Sequence, residues 1–419
     1  MKVLYPLFIW LLKLGFLFGA RFNKKLKLGL EGRRKSLSIV QSRFSVNDQV
    51  LWMHAASLGE YEQGLPVLEA LEGQYPHYKT LITFFSPSGY EHIAKKQQNP
   101  NRVLCYLPFD LKREIQPFIK SFETKVFFTV KYDYWYTLLG ELNRAGAQLY
   151  VVSALFYKNQ AFFKPGGRVL AQALQKRIHW FFHQTAKSFQ SAVNLGIPQG
   201  SVTGDTRFDR VRETASQASP IAYIQEFKAQ STLIVFGSSW EAEEKLAYSI
   251  IQARPETKIV LAPHDLKRVK RLTELFPHAL LYSTLDKQSP ERIQKAPVLI
   301  IDSIGLLSKL YQYGDLALVG GGFHSKGLHN CLEAASFGIP VFFGNQYKEN
   351  PEADAIVLLD AGRSFEDEVK ALEFLASLLV DPLRLKSMGE NARRYVESQP
   401  YSSKLILEKI QEMNSPHIV

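Results

Sequence analysis

The sequence predicts an α/β protein with two Rossmann-like, doubly wound domains facing a cleft, preceded by an N-terminal membrane-anchor helix. Three observations predict this. Short apolar runs ending in glycine, proline or polar residues recur along the chain, and they are too short for buried helices. Segments of helical spacing alternate with them, the pattern of a parallel sheet covered by helices. The pattern also restarts after a turn-rich break at 216–220, dividing 419 residues into two domains of ordinary size. The expected segments are an anchor helix at 1–22, a first domain at 23–203, a second at 204–395, and a C-terminal helical segment at 396–419 that packs back toward the first domain.

Composition narrows the function classes. With 46% apolar residues and no low-complexity tract, the chain is globular. Its two cysteines, Cys105 and Cys331, have neither metal-ligand spacing nor the number for a disulfide framework, which fits a reducing compartment. The net charge of +11 is concentrated at one end. Residues 1–35 hold nine Lys/Arg against Glu31, which is +8 of the +11. The remainder is nearly neutral, so no nucleic-acid partner is expected. Before most of that charge lies an apolar stretch, 3–20, interrupted by Lys13. It is just short for a spanning helix, and its basic flank suits an anionic membrane surface on the cytoplasmic side. A buried helix of the fold is the alternative.

In the first domain, strands are expected at 50–54, 80–84, 102–106, 125–130 and 148–152. The first is followed by a small polar loop, 55–59, and by a helix from Glu60. Glu60 has two readings. Ser57-x-x-Glu60 is a capping-box spacing, in which both side chains only satisfy helix-end N–H groups. A carboxylate at the carboxyl end of a parallel strand also stands where open α/β sheets bind ligands, and there it can accept a proton from an attacking hydroxyl.

The stretch 201–209 is the crossover into the second domain. Strands are expected at 232–236, 258–262, 298–301, 316–319 and 341–343, and a continuous helix from about 387 to 413. The stretch 315–344 is the most informative. A strand runs into Gly320-Gly321-Gly322, then Gly327-Leu328-His329-Asn330, then a helix with Glu333 one turn in. Glycines allow close approach of a ligand, and free N–H groups at a helix start favour an anion.

Several of these stretches, in this order, resemble the lipid A Kdo (3-deoxy-D-manno-octulosonic acid) transferases of GT-B fold. They are WMHAASLGE at 52–60, SPSGYE at 86–91, YLPFD at 106–110, VTGDTRFD at 202–209, GSSWEAEE at 237–244, IDSIGLLSKLY at 301–311 and GLHNCLEAASFGIPVFFG at 327–344. The resemblance implies an inverting glycosyltransferase of lipopolysaccharide core biosynthesis at the inner membrane, with CMP-Kdo as donor and a lipid A precursor (lipid IVA) as acceptor. It implies Glu60 as catalytic base. Donor contacts would come from Ser238, His264, Arg268, Gly305, Gly321, Gly322, Asn330 and Glu333. Acceptor contacts would come from Ser57, Gly59, Ser86 and the basic run Arg33, Arg34, Lys35, which otherwise forms only an anionic-lipid patch.

Three motifs depart from the family. Its E-x-E-x-W-P is Lys131-Tyr132-Asp133-Tyr134-Trp135-Tyr136 here, and no chemistry is assigned to that loop. Its P-R-H-P-E-R is 263–268, leaving His264 or Arg268 for the donor-binding Arg. Its M-G-E is Ile304-Gly305-Leu306. No cofactor or catalytic metal is expected, because the donor carries one phosphate and the sequence has no D-x-D. Two other readings remain at this stage: a nucleotide-sugar epimerase on the same fold, and a catalytically silent lipid-binding protein.

Overall fold

A computed structural model describes residues 4–325, 327–347 and 350–414. The chain divides into two compact units. The first comprises Met1–Arg210 with Pro400–Val419, and the second Val211–Gln399.

The first unit is built on a seven-stranded sheet of β1 (Gln49–Ala55), β2 (Lys79–Phe84), β3 (Arg102–Tyr106), β4 (Glu123–Val130), β5 (Gln148–Ala154), β6 (Trp180–His183) and β7 (Gly200–Val202). The strand order is β3-β2-β1-β4-β5-β6-β7. Its paired strands are parallel. The central strands read as unbroken apolar runs because both faces are covered. On β1, Val50 and Trp52 enter one hydrophobic cluster and Leu51, Met53 and Ala55 the other. The order reverses between β1 and β4, so the loops after these two strands flank the crevice where open sheets bind ligands.

Three helices bear on the site. α1 (Leu4–Gly19) and α2 (Lys24–Arg43) precede the sheet, and α3 (Leu58–Gln74) follows β1. Among the described residues no helix is long and apolar enough to cross a membrane. The expected stretch 3–20 begins outside the described residues. From Leu4 onward it packs on the first unit. Ile9 is buried with Leu30, Phe109 and Leu111, with Tyr5, Leu12 and Phe16 packed against them. Tyr5 donates to Asp110 at 2.5 Å and Lys13 to Glu114 at 2.6 Å.

The second unit has its own seven-stranded sheet: β8 (Leu233–Ser239), β9 (Lys258–Pro263), β10 (Leu280–Leu281), β11 (Val298–Ile300), β12 (Leu316–Val319), β13 (Val341–Gly344) and β14 (Gly362–Phe365). The order is β10-β11-β9-β8-β12-β13-β14, again with parallel pairs, and the switch point lies between β8 and β12.

Two expectations need correction. The continuous helix from 387 to 413 is two helices, Pro382–Ser398 and Ser402–Asn414, with Pro400 in the break. Proline lacks the N–H that a helix interior needs, so it ends the run. The first unit extends to Arg210 because the 202–209 motif is tied to it. Thr206 Oγ1 donates to the Gln63 carbonyl at 2.5 Å, and Gln63 donates to Asp205 at 2.7 Å. Asp209 accepts from the Ser402 and Ser403 N–H groups at 3.2 and 2.6 Å, capping the last helix, whose Ile406 and Ile410 lie in the first unit's core. Asp209→Ala is therefore expected to lower stability by about 1 kcal/mol, the usual worth of such a cap. It should also speed amide hydrogen exchange in 402–414 selectively; uniform exchange across the first unit would count against this role.

Candidate active site

In the first unit, Glu60 sits in the first turn of α3, at the carboxyl end of β1. The capping-box alternative is not what the side chains do. Ser57 occupies the N-cap position with extended backbone, yet its side chain bonds no helix N–H. Its hydroxyl instead lies 3.3 Å from Glu60 Oε2. Burial, then the negative charge of Asp133, pushes the Glu60 carboxyl above its usual range, with His54 and Lys131 opposing. A Cβ on Gly59 would meet nothing within 4 Å, so packing does not require glycine there and the surface beside Glu60 is open. Ser86 caps the helix Pro87–Ala94, and its N–H donates to the Ala56 carbonyl at 2.8 Å, joining the two loops.

Asp133 is the residue the sequence reading passed over. His54 on β1 is fully buried, with Nε2 2.6 Å from Asp133 Oδ2 and Nδ1 2.9 Å from Thr83 Oγ1. Trp52 Nε1–H donates to that hydroxyl at 2.8 Å, and Trp135 Nε1–H lies 3.1 Å from His54 Nε2. Trp135 Nε1–H donates to the same carboxylate oxygen at 3.0 Å. The loop after β4 is held by Thr129 Oγ1 donating to the Asp133 carbonyl, 3.0 Å, and turns through Lys131 at φ 62°. The loop thus sets an acid and an indole against the buried His54 of β1, and the charge of that acid reaches Glu60. No local signal marks the pair, because His54 and Asp133 are far apart in sequence and meet only through the β1–β4 pairing.

The basic run divides. Arg34 and Lys35 are exposed. Arg33 is not an outward phosphate grip: it is 6% exposed, donates to the Gly29 and Phe85 carbonyls at 3.0 and 2.6 Å, and lies over the Phe85 ring at 4.4 Å. Burial lowers its pKa to about 10.

In the second unit, the loops after β8, β9 and β11 enclose a cavity of about 640 Å³ lined by Trp240, His264, Asp265, Arg268, Ser303 and Gly305, among others. His264, Arg268 and Gly305 come together there as expected. Gly305 has φ 97°, a backbone that side chains rarely adopt. Arg268, however, is committed to the buried Glu244, with bonds of 2.7 and 2.5 Å. Ser238, at φ 53°, crosses close to Gly320, where a Cβ would lie 2.1 Å from the Ser238 carbonyl oxygen.

The glycine-rich stretch behaves differently from the expectation of N–H groups offered to an anion. Gly321 N–H donates to Glu243 Oε1 at 3.0 Å. A Cβ on Gly322 would lie 2.6 Å from the Gly344 backbone, so this glycine serves a chain crossing. The helix expected from Asn330 is only Leu332–Ala335, too short for a useful dipole. Asn330 and Glu333 do face each other, 3.2 Å apart, and Asn330 Oδ1 accepts from Leu332 N–H. Among the described residues no group of three or more His, Cys, Asp or Glu is arranged to hold a metal ion.

Two parallel, doubly wound units, each with candidate site residues at the carboxyl ends beside its switch point, form a GT-B-like fold. Solved structures agree on the fold: UDP-GlcNAc 2-epimerase from Neisseria meningitidis superposes with a TM-score of 0.60 at 15% identity, covering 87% of this chain and 100% of that one. Residues 26–210 match the family model of 3-deoxy-D-manno-octulosonic-acid transferase (kdotransferase). A bifunctional glycosyltransferase/methyltransferase of Fusobacterium nucleatum is 24% identical over 87% of this chain, which spans 59% of that longer protein. The 3-deoxy-D-manno-octulosonic acid transferase of Chlamydophila psittaci is 27% identical over 78% of this chain and 77% of its own length. Over residues 26–210 the chain thus resembles the Kdo transferase family model, and over most of its length it is similar to curated Kdo transferases.

Proposed function

We propose that the chain is an inverting glycosyltransferase that moves Kdo from CMP-Kdo to a lipid A precursor, lipid IVA, in lipopolysaccharide core biosynthesis. The observation that carries the reading is Glu60. It is a carboxylate that Ser57 touches without capping the helix, its proton affinity is raised, and it stands at the switch point of the unit that matches the family model. In the reaction the acceptor hydroxyl oxygen attacks the anomeric carbon and Glu60 takes its proton. The bond from that carbon to the donor's phosphate oxygen breaks, CMP leaves, and one displacement inverts the centre. The second unit holds the donor, with His264, Gly305 and Ser303 lining its cavity. Incubating the protein with CMP-Kdo and lipid IVA should give a product heavier by whole Kdo units. Free sugar released without acceptor, and no heavier lipid, would point to the epimerase alternative.

The site of action in this reading is the cytoplasmic face of the inner membrane. The inner face of α1 is used by the fold, while Leu4, Leu7, Phe8, Leu11 and Phe18 remain exposed along the other side, at 71, 51, 60, 54 and 65%. A row of large apolar residues followed by Lys24, Lys25 and Lys27 suits a helix lying in the headgroup region of an anionic bilayer. Replacing Leu7, Phe8 and Leu11 together by Ser should leave the fold unchanged and weaken vesicle binding at least tenfold, since each fully buried side chain is worth about 1.5–3 kcal/mol. Undiminished flotation of the triple variant with anionic vesicles would remove α1 from the membrane contact.

A further inference from the structure

The second unit gathers three imidazoles and an indole from three different loops. Trp240 follows β8, His264 follows β9, and His324 and His329 follow β12. His264 stacks on Trp240, ring centroids 4.5 Å apart at 20°, and its ring lies 4.6 Å from that of His329. His324 meets the Trp240 ring edge-on at 4.8 Å. His264 also lines the 640 Å³ cavity, where the Ser303 hydroxyl has no protein partner among the described residues.

The charges facing this cluster are largely committed. Arg268 is bonded to Glu244. Glu243 accepts from the Trp240 and Gly321 N–H groups. Asp265 accepts from Lys267 N–H, and Glu333 is paired with Asn330. The Arg268 guanidinium, which also lines the cavity, is therefore already paired, and position 264, Arg in the family motif that 263–268 resembles, is an imidazole. Two imidazoliums with ring centroids 4.6 Å apart would repel each other. In keeping with this, burial and the adjacent His264 and His324 lower His329 to about 4. A phosphate in the cavity reverses the balance, because it stabilises one imidazolium.

We propose that the cavity binds the phosphate of a cytidine nucleotide by taking up one proton into the His264–His329–His324 cluster, instead of presenting a fixed cation. This rests on the donor-site reading above and adds to it the group that meets the phosphate. Its consequence is a donor affinity that weakens by up to about tenfold per pH unit on the alkaline side, because one proton is bound together with the nucleotide.

Calorimetry of CMP binding to the full chain at pH 7.5, in two buffers of different ionisation enthalpy, measures the proton count directly. Uptake approaching one proton is expected with wild type. His264→Arg, which installs a permanent cation, should bind CMP without proton uptake and with a flat pH profile, while His329→Gln should reduce the uptake with the His264 ring still present. Because CMP's own titration is common to all three proteins, the differences between them belong to the cluster. CMP binding by wild type with no proton uptake would overturn the proposal while leaving the donor site in place. Failure of wild type to bind CMP at any pH would overturn the donor-site reading and this inference with it.

Discussion

Glu60→Gln is expected to lower turnover by about 10²–10⁴-fold, the usual worth of a general base, while the protein stays folded and still binds CMP. Gln keeps the size and the hydrogen-bond acceptor but cannot take the hydroxyl proton. Stability should not fall. A carboxyl whose folded pKa is raised contributes stability below its unfolded pKa, and loses it as pH rises through the folded value. Wild type therefore pays for an ionised, part-buried Glu60 at neutral and alkaline pH, and the Gln variant does not. The melting temperature of Glu60→Gln should match or exceed that of wild type at pH 8, with the difference vanishing toward pH 4. Ser57→Ala is a sharp control. Its hydroxyl caps no helix N–H, so the variant should lose much less than the ~1 kcal/mol of a true cap. Near-normal transfer by Glu60→Gln would move the base elsewhere.

The second large effect belongs to Asp133. Its negative charge is the second cause of the raised Glu60 pKa, after burial, and it is also the partner of the buried His54. Asp133→Asn removes the charge but keeps an acceptor for the imidazole and for Trp135. With Glu60 as the proposed base, the acidic limb of the kcat/KM profile should move to lower pH. At neutral pH a less basic Glu60 should turn over about tenfold or more slowly. Burial remains, so the limb should not reach the position of an exposed carboxylate. A pH profile that superposes on wild type with only the amplitude reduced would make Asp133 a structural partner of His54 and no more.

Arg33 illustrates how charge can mislead. In the sequence it is one of three consecutive basic residues, all equally suited to an anionic headgroup. In the fold its side chain turns inward to the Phe85 carbonyl and a set of aromatic rings, because α2 lays that face against the end of β2. Only Arg34 and Lys35 keep the exposure that such a role needs.

The alternation of strands and helices was legible because the central strands are covered on both faces. Burial on both sides demands a continuous apolar run such as Val50–Met53 or Leu316–Val319, and such runs stand out in a sequence. The edge strands β7, β10 and β14, and β6 next to β7, were not foreseen. Trp180–His183 is mostly aromatic, Gly200–Val202 and Leu280–Leu281 have too few residues for a period, and Gly362–Phe365 carries Arg363 and Ser364. Glu60 could be named from the sequence, since a strand end, a small polar loop and a helix start are local features. Whether it capped that helix could not, because capping depends on which way two side chains turn. The His54–Asp133 pair, the capture of Arg268 by Glu244, and the histidine cluster around Trp240 are decisions of the tertiary structure alone. Each joins residues from separate strand-end loops or helices, and what brings them together is the parallel pairing of their strands, which no local run of residues specifies.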